Sequence, residues 1–499
     1  MAKKNLLESL IHSLNPSELK RFALYTKTYT SNKSYLDLFK AIKNNVHKSQ
    51  KYDNKYAQKK RYLYRIILES LILKDKKTIK NEVLFLIKSA NYLINKQMPD
   101  HAYQQVNKAL ALVTKHEMTG YHLEIIEIEK QIRVCMNPKG YRSDEEILQE
   151  EVYLIEQQKQ LQSLKAVYNH ILNYKKKYGY IDYKRWDELY TEILEMGFPN
   201  LEDDCINNRA IYYYNYNQCL LSWIKHSHKE AYKYTTKLIQ MDPAPLNNLE
   251  RLNAYLEHSS SCFCLGRTHE IIQTLNQVED MYQKGAFGRY DSIALKIFYY
   301  RSNYELLSYV FMGDEKKLRY KLVEIEKGME YWGDKIPFAM KMIVATGLKF
   351  GYLAVGDLKK MKKQINFLID SKKSGLRQDA YEDGLVWNMI YYFIKDDIDF
   401  LEIQAERAYK HFSQNDVNQS IDSHFKVKIS KLFWDYSRMR MDKKQFLNTF
   451  KEMLEEKMVF FDNNFSEIDY PFLLWVQSEI SGKPLLDTAY EMSDKYLNK

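Results

Sequence analysis

The densest group of histidines and cysteines lies between positions 258 and 269, where His258, Cys262, Cys264 and His269 occur within twelve residues. Two thiolates and two imidazoles suffice for a tetrahedral zinc site. His258 and Cys262, four apart, share a helix face, but Cys264 falls about 200° round from Cys262 on a helix. A knuckle would need a turn between the cysteines, so buried thiol packing fits this stretch better, and neither a metal nor another cofactor is expected. His226 and His228 fall at an expected inter-helix turn and read as surface histidines. The acidic pairs Asp203-Asp204 and Asp396-Asp397 sit at expected helix starts, where negative charge favours the helix dipole. The chain contains no GxxxxGK[ST], GxGxxG, HExxH or GxSxG pattern. No catalytic constellation emerges, and the expectation is a non-enzymatic chain without a small-molecule substrate.

Two other groups of residues suit binding rather than catalysis. The segment 208–216 concentrates Asn208, Tyr212, Asn215 and Tyr216 beside Ala210, Tyr213 and Tyr214. Ala210, Tyr213 or Tyr214, Leu220 or Leu221, and Ile224 make a core stripe. The remaining Asn and Tyr side chains could then face a groove, where amides clamp an extended backbone and Tyr offers rigid contact area. Tyr300, Arg301, Asn303 and Tyr304 form a second set of this kind. The other group is basic. Residues 1–80 carry 19 Lys plus Arg against 6 Asp plus Glu, a net of +13, whereas the whole chain is +10. Lys51, Lys55, Lys59, Lys60, Arg61 and Arg65 head the cluster, which continues through Lys74, Lys76, Lys77 and Lys80. Such an asymmetry suits a nucleic acid or another polyanion; its structural alternative is a solvated helix face.

The elements that must position these residues are helices. Gly is 16 and Pro 9 in 499 residues, too few for turn-rich all-β folds or Gly-rich nucleotide-binding loops. Hydrophobic residues at 45% are ample for a core. Apolar positions recur three to four apart, as at Leu86, Ala90 and Leu93, and at Ala102, Val106, Ala109 and Val113. No apolar run approaches a membrane span. Glu8 and His12 interrupt the N-terminal apolar stretch, which therefore does not read as a signal peptide. Five cysteines, an odd and sparse set, read as reduced thiols, and a cytoplasmic location is expected.

The helices also repeat. Tyr309–Leu318 and Tyr352–Met361 share the pattern Y-φ-x-x-G-D-x-K-K-φ, offset by 43 residues. Gly there suits a left-handed residue after one helix, and Asp the cap of the next. Weaker echoes place turns near 97, 140, 179, 227, 266, 313, 356, 396 and 441, a mean spacing of about 43, the signature of stacked helical hairpins. Residues 1–80 stand outside this register. Asn15-Pro16 marks a helix start, and helices are expected over 4–13, 16–28, 33–46 and 55–73. A helix-turn-helix there lacks its tight glycine turn.

Ala90, Leu93, Ala102, Val106 and Ala109 have the spacing of the small and large packing positions of the tetratricopeptide repeat, and the resemblance extends over about 81–440. Cys219, Ala231, Leu238 and Asp242-Pro243 fit it in another unit, while Ser222 and Thr235 depart from it. The spacing here exceeds that family's repeat of about 34 residues. The segments 14–22 (LNPSELKRF), 35–42 (YLDLFKAI) and 62–71 (YLYRIILESL) also look like tetratricopeptide-type proteins of Bacteroidota. The resemblance implies an all-α, right-handed superhelical solenoid over 81–499 with a basic helical cap over 1–80. It also implies a scaffold or adaptor that binds a protein or peptide on its concave face, through Asn208, Tyr212, Asn215, Tyr216, Tyr300, Arg301 and Asn303. The alternative function is a nucleic-acid-associated regulator acting through the first 80 residues.

Overall fold

The computed structural model describes residues 6–29, 34–44, 54–72, 78–135, 142–178, 183–200, 202–225, 227–288, 290–371, 377–415, 421–460 and 469–496. Among the described residues every regular element is a helix and none is a strand. No helix among them is long and apolar enough to cross a membrane. The chain clusters into two units, residues 1–154 and 155–499. Lys51, Lys74, Lys76, Lys77 and His226, and the turns expected near 140 and 179, lie outside the described residues.

The first unit holds α1 (Leu6–Ser13), α2 (Pro16–Tyr29), α3 (Ser34–Lys43), α4 (Asn54–Ile72), α5 (Ile79–Asn95), α6 (Pro99–Lys115), α7 (Thr119–Cys135) and the start of α8 (Asp144–Tyr178). The first four match the expected helices to within a few residues. α2 starts as Asn15-Pro16 predicts: Glu18 N–H donates to Asn15 Oδ1 at 3.0 Å, and Asn15 N–H donates to Glu18 Oε2 at 2.8 Å. This reciprocal pair satisfies two of the orphan donors at a helix start. Three separate clusters follow: Leu7, Phe22, Tyr35 and Leu63 anchor one, Ala90, Ala102, Val106, Ala109 and Val113 another, and Ile126, Ile147 and Leu154 form a third.

The second unit continues with α9 (Tyr183–Glu195), a 3₁₀ turn at Glu202–Asp204, α10 (Asn208–Ile224), α11 (His228–Gln240), α12 (Asn248–Cys264), α13 (Thr268–Gln283), α14 (Asp291–Phe311) and α15 (Glu315–Trp332). After a 3₁₀ turn at Gly333–Lys335 come α16 (Phe338–Ala354), α17 (Leu358–Asp370), α18 (Gln378–Ile394), α19 (Ile398–Asn415), α20 (Ile421–Ser437), α21 (Lys443–Phe460), α22 (Asp469–Ser481) and α23 (Leu485–Tyr496). From α10 to α23 the helices pack on their chain neighbours, and α12, α14, α16, α18 and α20 also pack in succession on one another. The even-numbered helices thus form an inner row, and the odd-numbered helices flank it.

Left-handed residues punctuate this row at Gly266, Gly313, Gly356, Asp396, Met439 and Gly482. The turns at Gly313 and Gly356 have the same bonding. Asp314 N–H donates to Tyr309 O and Asp357 N–H to Tyr352 O, while the glycine amides reach Val310 O and Leu353 O. Each Asp then caps the next helix by accepting from Lys317 N–H or Lys360 N–H, at 3.0 and 2.9 Å. The repeated letters therefore encode a repeated turn.

One feature departs from an open array. α22 is buried nearly all round and touches helices far away in sequence. Tyr470 lies edge-on to Phe311 of α14 at 4.6 Å, Phe472 stacks on Trp387 of α18 at 5.0 Å, and Trp475 meets Phe393 of α18 at 5.6 Å. α23 also packs on α14. The C-terminal pair therefore covers the aromatic inner row between α14 and α20. Each large apolar side chain buried there contributes about 1.5–3 kcal/mol.

Candidate functional site

α10 carries most of the expected groove residues, and the structure corrects their assignment. Twelve of its 17 residues are buried, among them Tyr212 (2% exposed), Asn215 (0%) and Tyr216 (5%). Tyr212 O–H donates to Glu250 O at 2.9 Å, and Tyr216 O–H donates to Glu257 Oε1 at 3.2 Å. Asn215 Nδ2 donates to Glu202 Oε1 and to Ile211 O. None of the three offers a free face to an extended ligand, because α8, α11 and α12 surround the helix that carries them. Asn208 is exposed, and the cap is its neighbour Asn207, whose Oδ1 accepts from Ala210 N–H at 2.8 Å.

The second set behaves in the same way. Asn303 is buried on α14. Arg301 donates to Glu305 at 2.7 Å and to Glu279 at 3.0 Å, and Glu305 meets buried Lys321 at 2.6 Å. Arg301 thus belongs to a structural ion-pair chain. Tyr300, like Arg301, is half-buried, and its O–H donates to Glu257 Oε1 at 3.3 Å.

What the inner row does present is a polar ladder from α8 to α14. Lys165 lies over the Tyr213 ring at 5.3 Å, and Tyr168 packs edge-on to Tyr213 and Tyr216. Glu250 accepts from Tyr213 O–H at 2.8 Å and Arg209 at 2.9 Å, and Glu257 accepts from both Tyr216 and Tyr300. Lys296 donates to Asn253. Burial pushes the Lys165 and Lys296 amines below their ordinary range, and it pushes the Tyr212 and Tyr216 phenols well above theirs. Tyr168, Tyr213, Glu257, Lys296 and Tyr300 are half-buried, so one edge of the ladder reaches solvent. Sequence reasoning missed Glu250 and Glu257, although their seven-residue spacing puts both on one helix face.

In the basic N-terminal region Lys59, Arg61 and Arg65 are exposed on α4. Lys60 is half-buried and lies 4.9 Å from the Tyr56 ring centre, and Arg65 pairs with Glu69 at 3.2 Å. Lys55 falls within α4, but its side chain lies outside the described residues, as does Lys51.

The stretch 258–269 separates into two. Cys264 packs with Cys219, Trp223 and Ala231, and His269 is exposed. His258 and Cys262 converge on a residue absent from the sequence argument, Glu270 in the first turn of α13. His258 Nε2 lies 3.2 Å from Glu270 Oε1 and 3.6 Å from Cys262 Sγ, and His258 Nδ1 lies 3.2 Å from Thr235 Oγ1. Burial lowers the His258 pKa and raises that of Cys262. Burial also pushes the Glu270 carboxyl up, but hydrogen bonds from Tyr232 and Arg267 outweigh it and hold the group below its usual range.

No protein-family model matches the chain, and neither a curated protein nor a solved structure is significantly similar to it.

Proposed function

We propose that the chain is a non-enzymatic scaffold that binds a protein or peptide segment along the inner row of its helices. In this reading residues 81–499 are a tetratricopeptide-like solenoid, right-handed and superhelical, with a period near 43 residues, located in the cytoplasm. The supporting observation is the ladder of Tyr168, Tyr213, Glu257, Lys296 and Tyr300, which exposes one edge of tyrosine and ionisable groups between α8 and α14. Rigid aromatic and charged side chains on a pre-formed surface are the usual anchors of such recognition. The α22–α23 pair fills the row beyond α14, so the proposed surface ends there.

A photo-crosslinking side chain at Tyr213 or Tyr300, introduced in the native host, tests this. The same label at Tyr320 or Tyr331, which are 74% and 78% exposed on α15, serves as the control. A discrete adduct from the ladder positions alone is expected. Adducts only from α15, or identical adducts from both faces, refute the placement.

The exposed Lys59, Arg61 and Arg65 favour a second reading, polyanion binding by the first 80 residues. Reversing Lys59, Lys60, Arg61 and Arg65 should abolish retention on heparin and flatten its salt dependence, because each phosphate contact releases counterions. No retention of the unaltered protein at low salt removes this reading.

A further inference from the structure

The cluster where α11, α12 and α13 meet has the arrangement of a metal site. His258 and Cys262 stand one turn apart on α12, and the Gly266 turn brings Glu270 of α13 opposite them. One ligand atom from each, His258 Nε2, Cys262 Sγ and Glu270 Oε1 or Oε2, falls within 4.8 Å of the others. Bond lengths of about 2.1 Å to nitrogen or oxygen and about 2.3 Å to sulfur put tetrahedral zinc ligands about 3.6 Å apart for N and S, and about 3.4 Å apart for N and O. The observed separations from His258 Nε2 are 3.6 Å to Cys262 Sγ and 3.2 Å to Glu270 Oε1.

The surrounding hydrogen bonds set the imidazole for ligation. Thr235 Oγ1 donates its proton to Tyr232 O at 3.1 Å, so toward His258 Nδ1, 3.2 Å away, it acts as an acceptor. The ring proton then sits on Nδ1, and the Nε2 lone pair points at the thiol and the carboxylate. An oxygen that holds the far nitrogen of a histidine is the usual companion of a metal-ligating imidazole. Nε2 and Oε1, two possible ligand atoms, face each other at 3.2 Å, and the Tyr232 O–H also donates to Oε1, at 2.9 Å. Arg267 engages the other carboxylate oxygen, Oε2, at 3.2 Å and so orients Oε1 inward.

We propose that His258 Nε2, Cys262 Sγ and Glu270 Oε1 bind one thiophilic divalent cation of the zinc class, with a non-protein fourth ligand. On binding, the Cys262 thiol releases its proton to solvent, and thiolate plus carboxylate balance the two positive charges. Thiolate and imidazole select against magnesium and calcium, which prefer all-oxygen shells. His258 and Cys262 are buried, while the Glu270 side chain is 32% exposed and marks the way in. The cation would tie α12 to α13, with α11 held to the site through Thr235.

Cobalt(II) titration of the reduced full-length protein tests the site. We expect one equivalent to give a thiolate-to-cobalt charge-transfer band and intense tetrahedral d–d bands, both erased by one equivalent of zinc. Cys262→Ser should lose the charge-transfer band, whereas Cys264→Ser, on the other side of the helix, should retain it. Glu270→Gln, at the rim and verified as folded by circular dichroism, should weaken cobalt binding at least tenfold. This variant keeps the test decisive if Cys262→Ser does not fold. Absence of the band in the unaltered protein, its survival in Cys262→Ser, or unchanged affinity in folded Glu270→Gln overturns the proposal.

Discussion

Gly313 and Gly356 occupy turns with the same hydrogen bonds and nearly the same left-handed backbone, φ +65° and +77°, yet alanine should affect them differently. At Gly356 a Cβ would meet nothing within 4 Å, so Gly356→Ala costs only the left-handed penalty, about 1–2 kcal/mol. At Gly313 the same atom would stand 2.7 Å from Leu486 O and 3.0 Å from Tyr490 Cβ, both on α23. The nearer is a backbone atom, so α23 must shift as a body. Overpacking of that kind adds about 1–3 kcal/mol. Because proteins open locally in contiguous units, amide hydrogen exchange is the appropriate assay. Gly313→Ala should deprotect α22 and α23 well before α16 and α17. Gly356→Ala should lower protection modestly around its own turn. Equal effects of the two substitutions would refute the docking of α23 on α14.

Three more outcomes follow from buried or perturbed charges. Lys349 is fully enclosed and meets Asp383 at 2.6 Å, so Lys349→Met should cost about 3–5 kcal/mol in urea denaturation by stranding the carboxylate, and adding Asp383→Leu should restore most of it. Burial pushes the Glu382 carboxyl up, but His411 and Lys426 outweigh it and hold the group at about 2, against an ordinary 4.5. Its folded-state pKa is depressed, so its contribution, on the order of 3 kcal/mol, is complete above about pH 4.5 and is lost as pH falls toward 2. Glu382→Gln should flatten the acid limb of a stability-against-pH curve in that window. Burial brings the Lys362 amine down to about 8, over the Tyr391 and Tyr392 rings, so acetic anhydride near pH 8 should label it severalfold faster than exposed Lys363 by mass spectrometry.

The sequence spoke clearly where one helix face is buried and the other wet. In α6 the stripe Ala102, Val106, Ala109 and Val113 is the buried face. The turns at Gly313 and Gly356 were equally legible, because left-handed backbone and an Asp cap each demand a residue type. Legibility failed on α10, α14 and α18. These helices are enclosed on most sides, so burial no longer follows a 3.6-residue period, and Tyr212 or Asn215 cannot be told from a groove residue by spacing. The return of α22 to α14 is a contact between distant segments that no local pattern records. For the metal-ligand cluster, the helix face shared by His258 and Cys262 could be read. Glu270 could not, since its position depends on how the Gly266 turn redirects the chain.

The covering of the inner row by α22 also has a consequence for how the protein is made. Phe311 leaves the ribosome about 160 residues before Tyr470, a delay of roughly 10–30 s at ordinary elongation rates. Through that interval Phe311, Trp387, Phe393 and Phe433 have no α22 to shield them. Transiently exposed apolar surface of this kind makes partly made chains prone to aggregation, and a chain halted before Asp469 keeps it. Arrival of α22 and α23 withdraws that surface.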